Sequence, residues 1–144
     1  MAKALIAYTS RTGQTTKIAE LVAEGLRLAG QEAELKNCNQ IKGPEDLEGY
    51  DAYIFGSATY HGDMMPPMKQ LLFTAEKAGL EGKVGGSFGS YGWSGEAPQR
   101  IFETMKHIFK MRMAGDCLRL KTAALEGGIQ MAQSYGKEIA GMMG

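Results

Sequence analysis

Residues 3–15 read Lys3-Ala4-Leu5-Ile6-Ala7-Tyr8-Thr9-Ser10-Arg11-Thr12-Gly13-Gln14-Thr15. A mostly apolar run of strand length passes directly into a cluster of hydroxyls around one glycine. Residues 15–29 then place Ile18, Leu21, Val22, Leu26 and Ala29 on one helical face, and Gly30 stops the run. An unbroken apolar strand is one buried on both faces, and a strand that feeds a helix through a short turn opens a βα unit.

The alternation continues to the end of the chain. Residues 32–36 suit a short edge strand, and residues 50–57 carry Ala52-Tyr53-Ile54-Phe55 before a Gly-Ser end. Residues 66–78 begin with Pro and read as a second helix. Residues 83–89 form a glycine-rich fourth strand. Residues 96–110 form a third helix whose inner face holds Ile101, Phe102, Met105, Ile108 and Phe109. Residues 116–121 are a short fifth strand and residues 126–143 a last helix. The long connection 37–49 holds a short helix at 44–47. Residues 1–144 are therefore expected to form a single α/β domain. Its core is a doubly wound five-stranded parallel sheet of order 2-1-3-4-5. In such a sheet ligands bind beyond the carboxyl ends of the strands, between strands 1 and 3. That singles out three loops, at residues 9–15, 58–66 and 89–98.

Composition narrows the function. Sixteen Lys and Arg balance sixteen Asp and Glu, which argues against a domain built to grip nucleic acid. Cys38 and Cys117 make no CxxC pair, and His61 and His107 are the only histidines, so no metal-ligand cluster is visible. No stretch reaches the roughly 18 apolar residues of a membrane span. A cytoplasmic monomer is expected, in contact with neither nucleic acid nor membrane.

The first loop offers the hydroxyls of Thr9, Ser10, Thr12, Thr15 and Thr16 at a helix start. One helix cap needs one hydroxyl. Five of them around a single turn, beside helix amides and a favourable dipole, point to phosphate. GxxxxGK[ST] and GxGxxG are both absent, so a monophosphate ester fits better than a nucleoside triphosphate or a dinucleotide. The second loop carries Ala58-Thr59-Tyr60-His61-Gly62-Asp63, and the third Gly89-Ser90-Tyr91-Gly92-Trp93-Ser94-Gly95. Aromatics in two loops beside a phosphate site suggest a flat ring held in a slot.

At these residues the chain resembles a known family. Ser10-x-Thr12-Gly13-x-Thr15 after a first strand is similar to the phosphate loop of flavodoxins, and Gly56-Ser57-Ala58-Thr59-Tyr60 to their second flavin loop. The run from Phe88 to Gly95 resembles the third loop of the flavodoxin domain in flavo-diiron proteins. The resemblance covers essentially the whole chain and is to a short-chain flavodoxin. It implies a flavodoxin-like fold, FMN as cofactor, and low-potential one-electron transfer between redox partner proteins, a reductase and an acceptor. It places Thr9, Ser10, Arg11, Thr12, Gly13, Gln14 and Thr15 at the phosphate. Ala58, Thr59, Tyr60, His61 and Gly62 would lie on one side of the ring, and Gly89, Ser90, Tyr91, Gly92, Trp93 and Gly95 on the other. Arg11 is a departure, because the family usually leaves this loop uncharged.

The Gly62 turn lies where the family places a backbone carbonyl able to rotate toward flavin N5, a motion glycine permits. Asp63 and Glu96 are expected to oppose negative charge on the ring. Residues 43–81 hold seven acids and two lysines, and residues 100–121 hold six Lys or Arg and two acids. The acidic segment, which includes the second loop, is expected to face a basic partner.

Other readings on this topology do less well. An FMN-dependent NAD(P)H or quinone reductase is the alternative. A phosphoacceptor domain would need an acid where Ala58-Thr59 stands, and Gly92-Trp93-Ser94-Gly95-Glu96 misses the serine hydrolase GxSxG at its last position. Trp93 is the only tryptophan, so its emission reports on one site. If it stacks on the ring, its fluorescence is quenched in the FMN-loaded protein and recovers when FMN is removed. Unchanged emission would move the stacking role to Tyr91.

Overall fold

Ala4, Leu5, Ile6 and Ala7 are all fully buried, and they alternate between two separate cores. That alternation sets the architecture seen in the computed structural model, which describes residues 2–10, 13–60, 63–90, 96–120 and 127–143. In chain order the elements are β1 (Lys3–Thr9), α1 (Gln14–Leu28), β2 (Glu32–Asn37) and β3 (Ala52–Ser57). There follow β4 (Thr59–Tyr60), β5 (Asp63–Met64), α2 (Pro66–Glu76) and β6 (Val84–Ser90). The chain closes with α3 (Glu96–Glu103), β7 (Arg112–Met113), β8 (Leu118–Leu120) and α4 (Gly128–Met143).

β1 pairs in parallel with β2 on one side and β3 on the other, and β3 pairs with β6. Ala4, Ile6, Ala52 and Ile54 turn to one face, where Ile18, Val22 and Leu26 of α1 and Ala132 and Ile139 of α4 cover them. Leu5, Ala7, Tyr53 and Phe55 turn to the other, under α2, α3 and the crossover that bears Cys38, Leu47 and Tyr50. Alternate strand residues point to opposite faces, so a strand apolar at every position needs a layer of helix on each side. Among the described residues no helix is long and apolar enough to cross a membrane.

The expected order 2-1-3-4-5 is present, with its fifth strand in two pieces. β7 pairs with the start of β6 (Val84 opposite Arg112) and β8 with its end (Phe88 opposite Leu118). Gly115, at φ +38, lies between them. In the gap, the buried Ser87 amide donates to the Tyr135 hydroxyl of α4 at 2.9 Å. A hydroxyl from the helix layer thus meets a ladder donor that the interrupted strand leaves unserved.

Two local expectations need correcting. Residues 58–66 are not an open loop, because β4 and β5 form a small antiparallel ladder. The third helix does not run as α-helix to residue 110. Thr104–Ile108 is a π turn, in which the Phe109 amide reaches the Thr104 carbonyl at 3.1 Å. The wider turn holds one extra residue, so Phe109 takes the inward place and Ile108 is turned out, 61% exposed. The short helix at 44–47 is a 3-10 turn, Pro44–Leu47.

α1 and α4 approach unusually closely at two glycines. A Cβ on Gly25 would stand 2.1 Å from the Gln133 carbonyl oxygen, and one on Gly136 would stand 2.2 Å from that of Val22. Both obstacles are backbone, so they move only if the helices part. Gly25→Ala improves helix propensity by about 1 kcal/mol, yet overpacking of this kind costs about 1–3 kcal/mol. Gly25→Ala is therefore expected to lower the urea midpoint. A midpoint at or above the parent value would mean the two helices separate freely.

Candidate functional site

The carboxyl ends of β1, β3 and β6 lie side by side, with Thr9 opposite Ser57 and Gly56 opposite Phe88. The three connections expected to carry chemistry therefore leave the sheet on one edge. β1 ends at buried Thr9, and Ser10 follows. The Ser10 hydroxyl accepts from the Gly13 amide at 3.0 Å. Gly13 is the cap of α1 and has φ +88, a left-handed conformation open to glycine at no steric cost. The first intrahelical bond runs from the Lys17 amide to the Gly13 carbonyl at 3.1 Å, so the Thr15 and Thr16 amides precede the ladder. No acid sits in the first turn of α1. Its positive dipole end is thus not neutralised by a side chain of its own turn. Hydroxyls and helix amides without a carboxylate fit the dianionic phosphate of FMN.

Gln14 opens the helix, and Thr15 behind it is fully buried. The Thr15 hydroxyl is 2.8 Å from that of Ser90, the last residue of β6. This bond ties the first connection to the third across 75 residues of chain. A second tie joins the other pair of loops, where the Ala97 amide in the first turn of α3 donates to the Thr59 hydroxyl at 3.2 Å. Ala58 is buried between β3 and β4, and Tyr60 closes β4. Gly89 is needed for space, since a Cβ there would meet the Ser57 carbonyl oxygen at 2.3 Å and Pro98 at 3.0 Å. Thr9, Ser10, Gly13, Gln14, Thr15, Ala58, Thr59, Tyr60, Gly89 and Ser90 are thus brought to one edge. Arg11, Thr12, His61, Gly62, Tyr91, Gly92, Trp93 and Gly95 lie outside the described residues.

Ser57 and Asp63 take supporting roles that were not read from the sequence. The buried Ser57 hydroxyl donates to the Ala58 carbonyl at 2.8 Å and accepts from the Met65 amide at 3.0 Å, bracing both ends of the second connection. Its place at a strand end was the only local signal. Asp63 bonds Lys69 of α2 at 2.7 Å and lies 3.8 Å from Arg100 of α3. Burial raises its carboxyl pKa. The hydrogen bonds from Lys69 and the Met64 amide, with the charges of Lys69 and Arg100, outweigh that and hold it below the usual 3.8.

The expected acidic docking face takes a different form. Asp51, Glu76 and Glu81 lie at the amino-terminal edge of the strands, and Glu45, Asp46 and Glu48 on the crossover that leads down to it. Only Asp63 of that segment's acids lies beside the second connection, and it is paired. Cys38 is buried with its thiol pushed up to about 12, and burial raises half-buried Cys117 to about 11, so both stay protonated at neutral pH.

A family model described as the flavodoxin domain matches residues 5–117. The type A flavoprotein fprA of Rhodobacter capsulatus is 31% identical over 143 residues, which cover 94% of this chain and 32% of that protein. The chain spans about a quarter to a third of the length of the first curated relatives it matches. Among solved structures, a flavodoxin from the domain Archaea superposes with a TM-score of 0.91 at 30% identity, covering 98% of both chains. The rubredoxin oxygen:oxidoreductase of the anaerobe Desulfovibrio gigas gives 0.90 at 25% identity, covering 98% of this chain and 36% of that one.

The Thr15–Ser90 bond is testable without any ligand. Thr15→Val keeps the side-chain shape and leaves a buried Ser90 hydroxyl unserved, a loss of about 1–3 kcal/mol. Adding Ser90→Ala removes the orphan, so the double variant is expected to be more stable than the sum of the single losses. Additive losses in urea denaturation would show that the two hydroxyls act independently.

Proposed function

Because this chain belongs to the flavodoxin domain family and binds FMN, we propose that it carries single electrons at low potential between a reductase and an acceptor protein. FMN supplies the redox chemistry, and the chain binds, orients and tunes it. The observation that supports the FMN part of this reading is the construction of the α1 start. It combines a left-handed glycine cap, hydroxyls on the residues around it, and no acid in the first turn. On this reading Ser10, Thr12, Gly13 and Gln14 hold the phosphate with the Thr15 and Thr16 amides. The Thr15 hydroxyl, turned to Ser90, steadies the loop instead. Tyr60, His61 and Gly62 line one side of the ring, and Tyr91, Gly92 and Trp93 the other. Arg11 adds a cation at the phosphate end.

On this reading the chain is a carrier, and an FMN-dependent NAD(P)H or quinone reductase on the same fold is the alternative. Its partners are proteins that meet the carboxyl edge of the sheet, where the ring would be exposed. The chain works in the cytoplasm as a monomer on this account.

The test begins with the purified protein, which is expected to be yellow and to release FMN on denaturation. Losing one donor to a buried charged group costs about 1.5–3 kcal/mol. Thr12→Ala is therefore expected to weaken FMN roughly tenfold or more and riboflavin far less. Equal losses for the two ligands would mean that the loop does not read the phosphate. Anaerobic mixing with NADPH is expected to leave the colour unchanged until a reductase is added. Rapid bleaching by NADPH alone would support the reductase reading instead.

A further inference from the structure

We infer that Asp63 is a positioning residue for the flavin ring, acting as an ionic clamp that holds the β4–β5 ladder against both flanking helices through Lys69 and Arg100. The inference rests on the FMN reading above. The clamp joins three elements. Asp63 stands at the start of β5, directly opposite Tyr60 at the end of β4. Its Oδ2 is 2.7 Å from Lys69 Nζ on α2, and its Oδ1 is 3.8 Å from Arg100 Nε on α3. Oδ1 also accepts from the Met64 amide at 2.8 Å. The carboxylate is 29% exposed, while the two cations are about half exposed.

A ladder of two residues on each strand has little stability of its own. Apart from its own pairing, this one is held at its base. The Ser57 hydroxyl accepts from the Met65 amide, and the Thr59 hydroxyl accepts from the Ala97 amide. Both bonds lie at the sheet side of the ladder. Asp63 is the group next to the connecting residues 61 and 62, the part that would lie against the ring. Its partners come from the helices on either side, so the short Lys69 pair and the longer Arg100 ion pair oppose sideways motion of the ladder in both directions. Removing it is expected to blur the position of the ring-facing residues without touching the phosphate site at the α1 start.

That separation supplies the test. Dissociation constants for FMN and for riboflavin are measured with the parent protein, Asp63→Asn and Asp63→Ala. Asn keeps an oxygen for the Met64 amide and loses the charge, so it isolates the ion pairs from the local turn. Two partly exposed pairs of this kind together are worth about a fivefold change. Asp63→Asn and Asp63→Ala are both expected to weaken FMN and riboflavin by that factor, equally for the two ligands. The midpoint potential of bound FMN is expected to rise in Asp63→Asn, because Lys69 and Arg100 lose their counter-charge. Asp63→Asn that matches the parent in both affinities overturns the clamp, and a raised potential with unchanged affinities makes Asp63 a charge near the ring and not a positioning residue. A loss confined to FMN overturns it as well, because the ring common to both ligands would then be held as before. If Asp63→Asn does not fold, Lys69→Met combined with Arg100→Met removes the clamp from the helix side, and its two affinities decide by the same comparison. A parent protein that binds neither FMN nor riboflavin would instead defeat the FMN reading itself, an outcome distinct from these.

Discussion

Ala4 and Ile6 face one core, Leu5 and Ala7 the other, and none of the four reaches water. A strand buried on both faces cannot sit at the surface of any layer, so β1 must lie inside a sheet covered on each side by helices. β3 has the same character, with Ala52 and Ile54 on one face and Tyr53 and Phe55 on the other. Full burial of side chains such as Leu5, Ile6, Ile54 and Phe55 stabilises by about 1.5–3 kcal/mol each. Exchanging the faces of β1 by a one-residue slip would place each of its side chains against the wrong core. The register that brings the carboxyl ends of β1, β3 and β6 together is therefore held by packing far below the site.

Once those ends are aligned, the site is assembled by a few polar contacts between distant segments. Thr15 and Ser90 are 75 residues apart, and Thr59 and Ala97 are 38 apart. Each bond joins two of the three connections, and Ser57 braces the second one at both ends. Buried hydroxyls suit this task, since each can donate once and accept twice while carrying no charge to desolvate. The α1 start can therefore present helix amides to an anion, because no acid sits in its own first turn.

Charge follows a different logic from hydroxyls. Summed along the chain, residues 43–81 are acidic and residues 100–121 basic, but that polarity is not a map of the surface. Helix and strand run in opposite directions in each βα unit, so neighbours in sequence end at opposite edges of the sheet. The acids of the crossover and of the α2 end gather away from the ligand edge. The acid of residues 43–81 that does reach it, Asp63, is met by cations from α2 and α3.

The sequence alone carried the α/β alternation, the strand order and the hydroxyl-rich turn after the first strand. Those features are written in residues close together along the chain: the apolar run of 3–8, the helical spacing from Ile18 to Ala29, the Pro at the start of α2. Local periodicity and turn chemistry act over a few residues, and a reader of the chain meets them in order. The split of the fifth strand, the β4–β5 ladder, the π turn that exposes Ile108, the Thr15–Ser90 bond and the close crossing at Gly25 and Gly136 were decided by the tertiary structure. Each depends on what stands opposite in space: a Tyr135 hydroxyl in place of a strand, a backbone carbonyl where a Cβ would be, a cation on each side of a carboxylate. A hydroxyl or a glycine looks the same in the sequence whether its partner is water, a ligand or a residue 75 positions away, and only the packed fold determines which it meets.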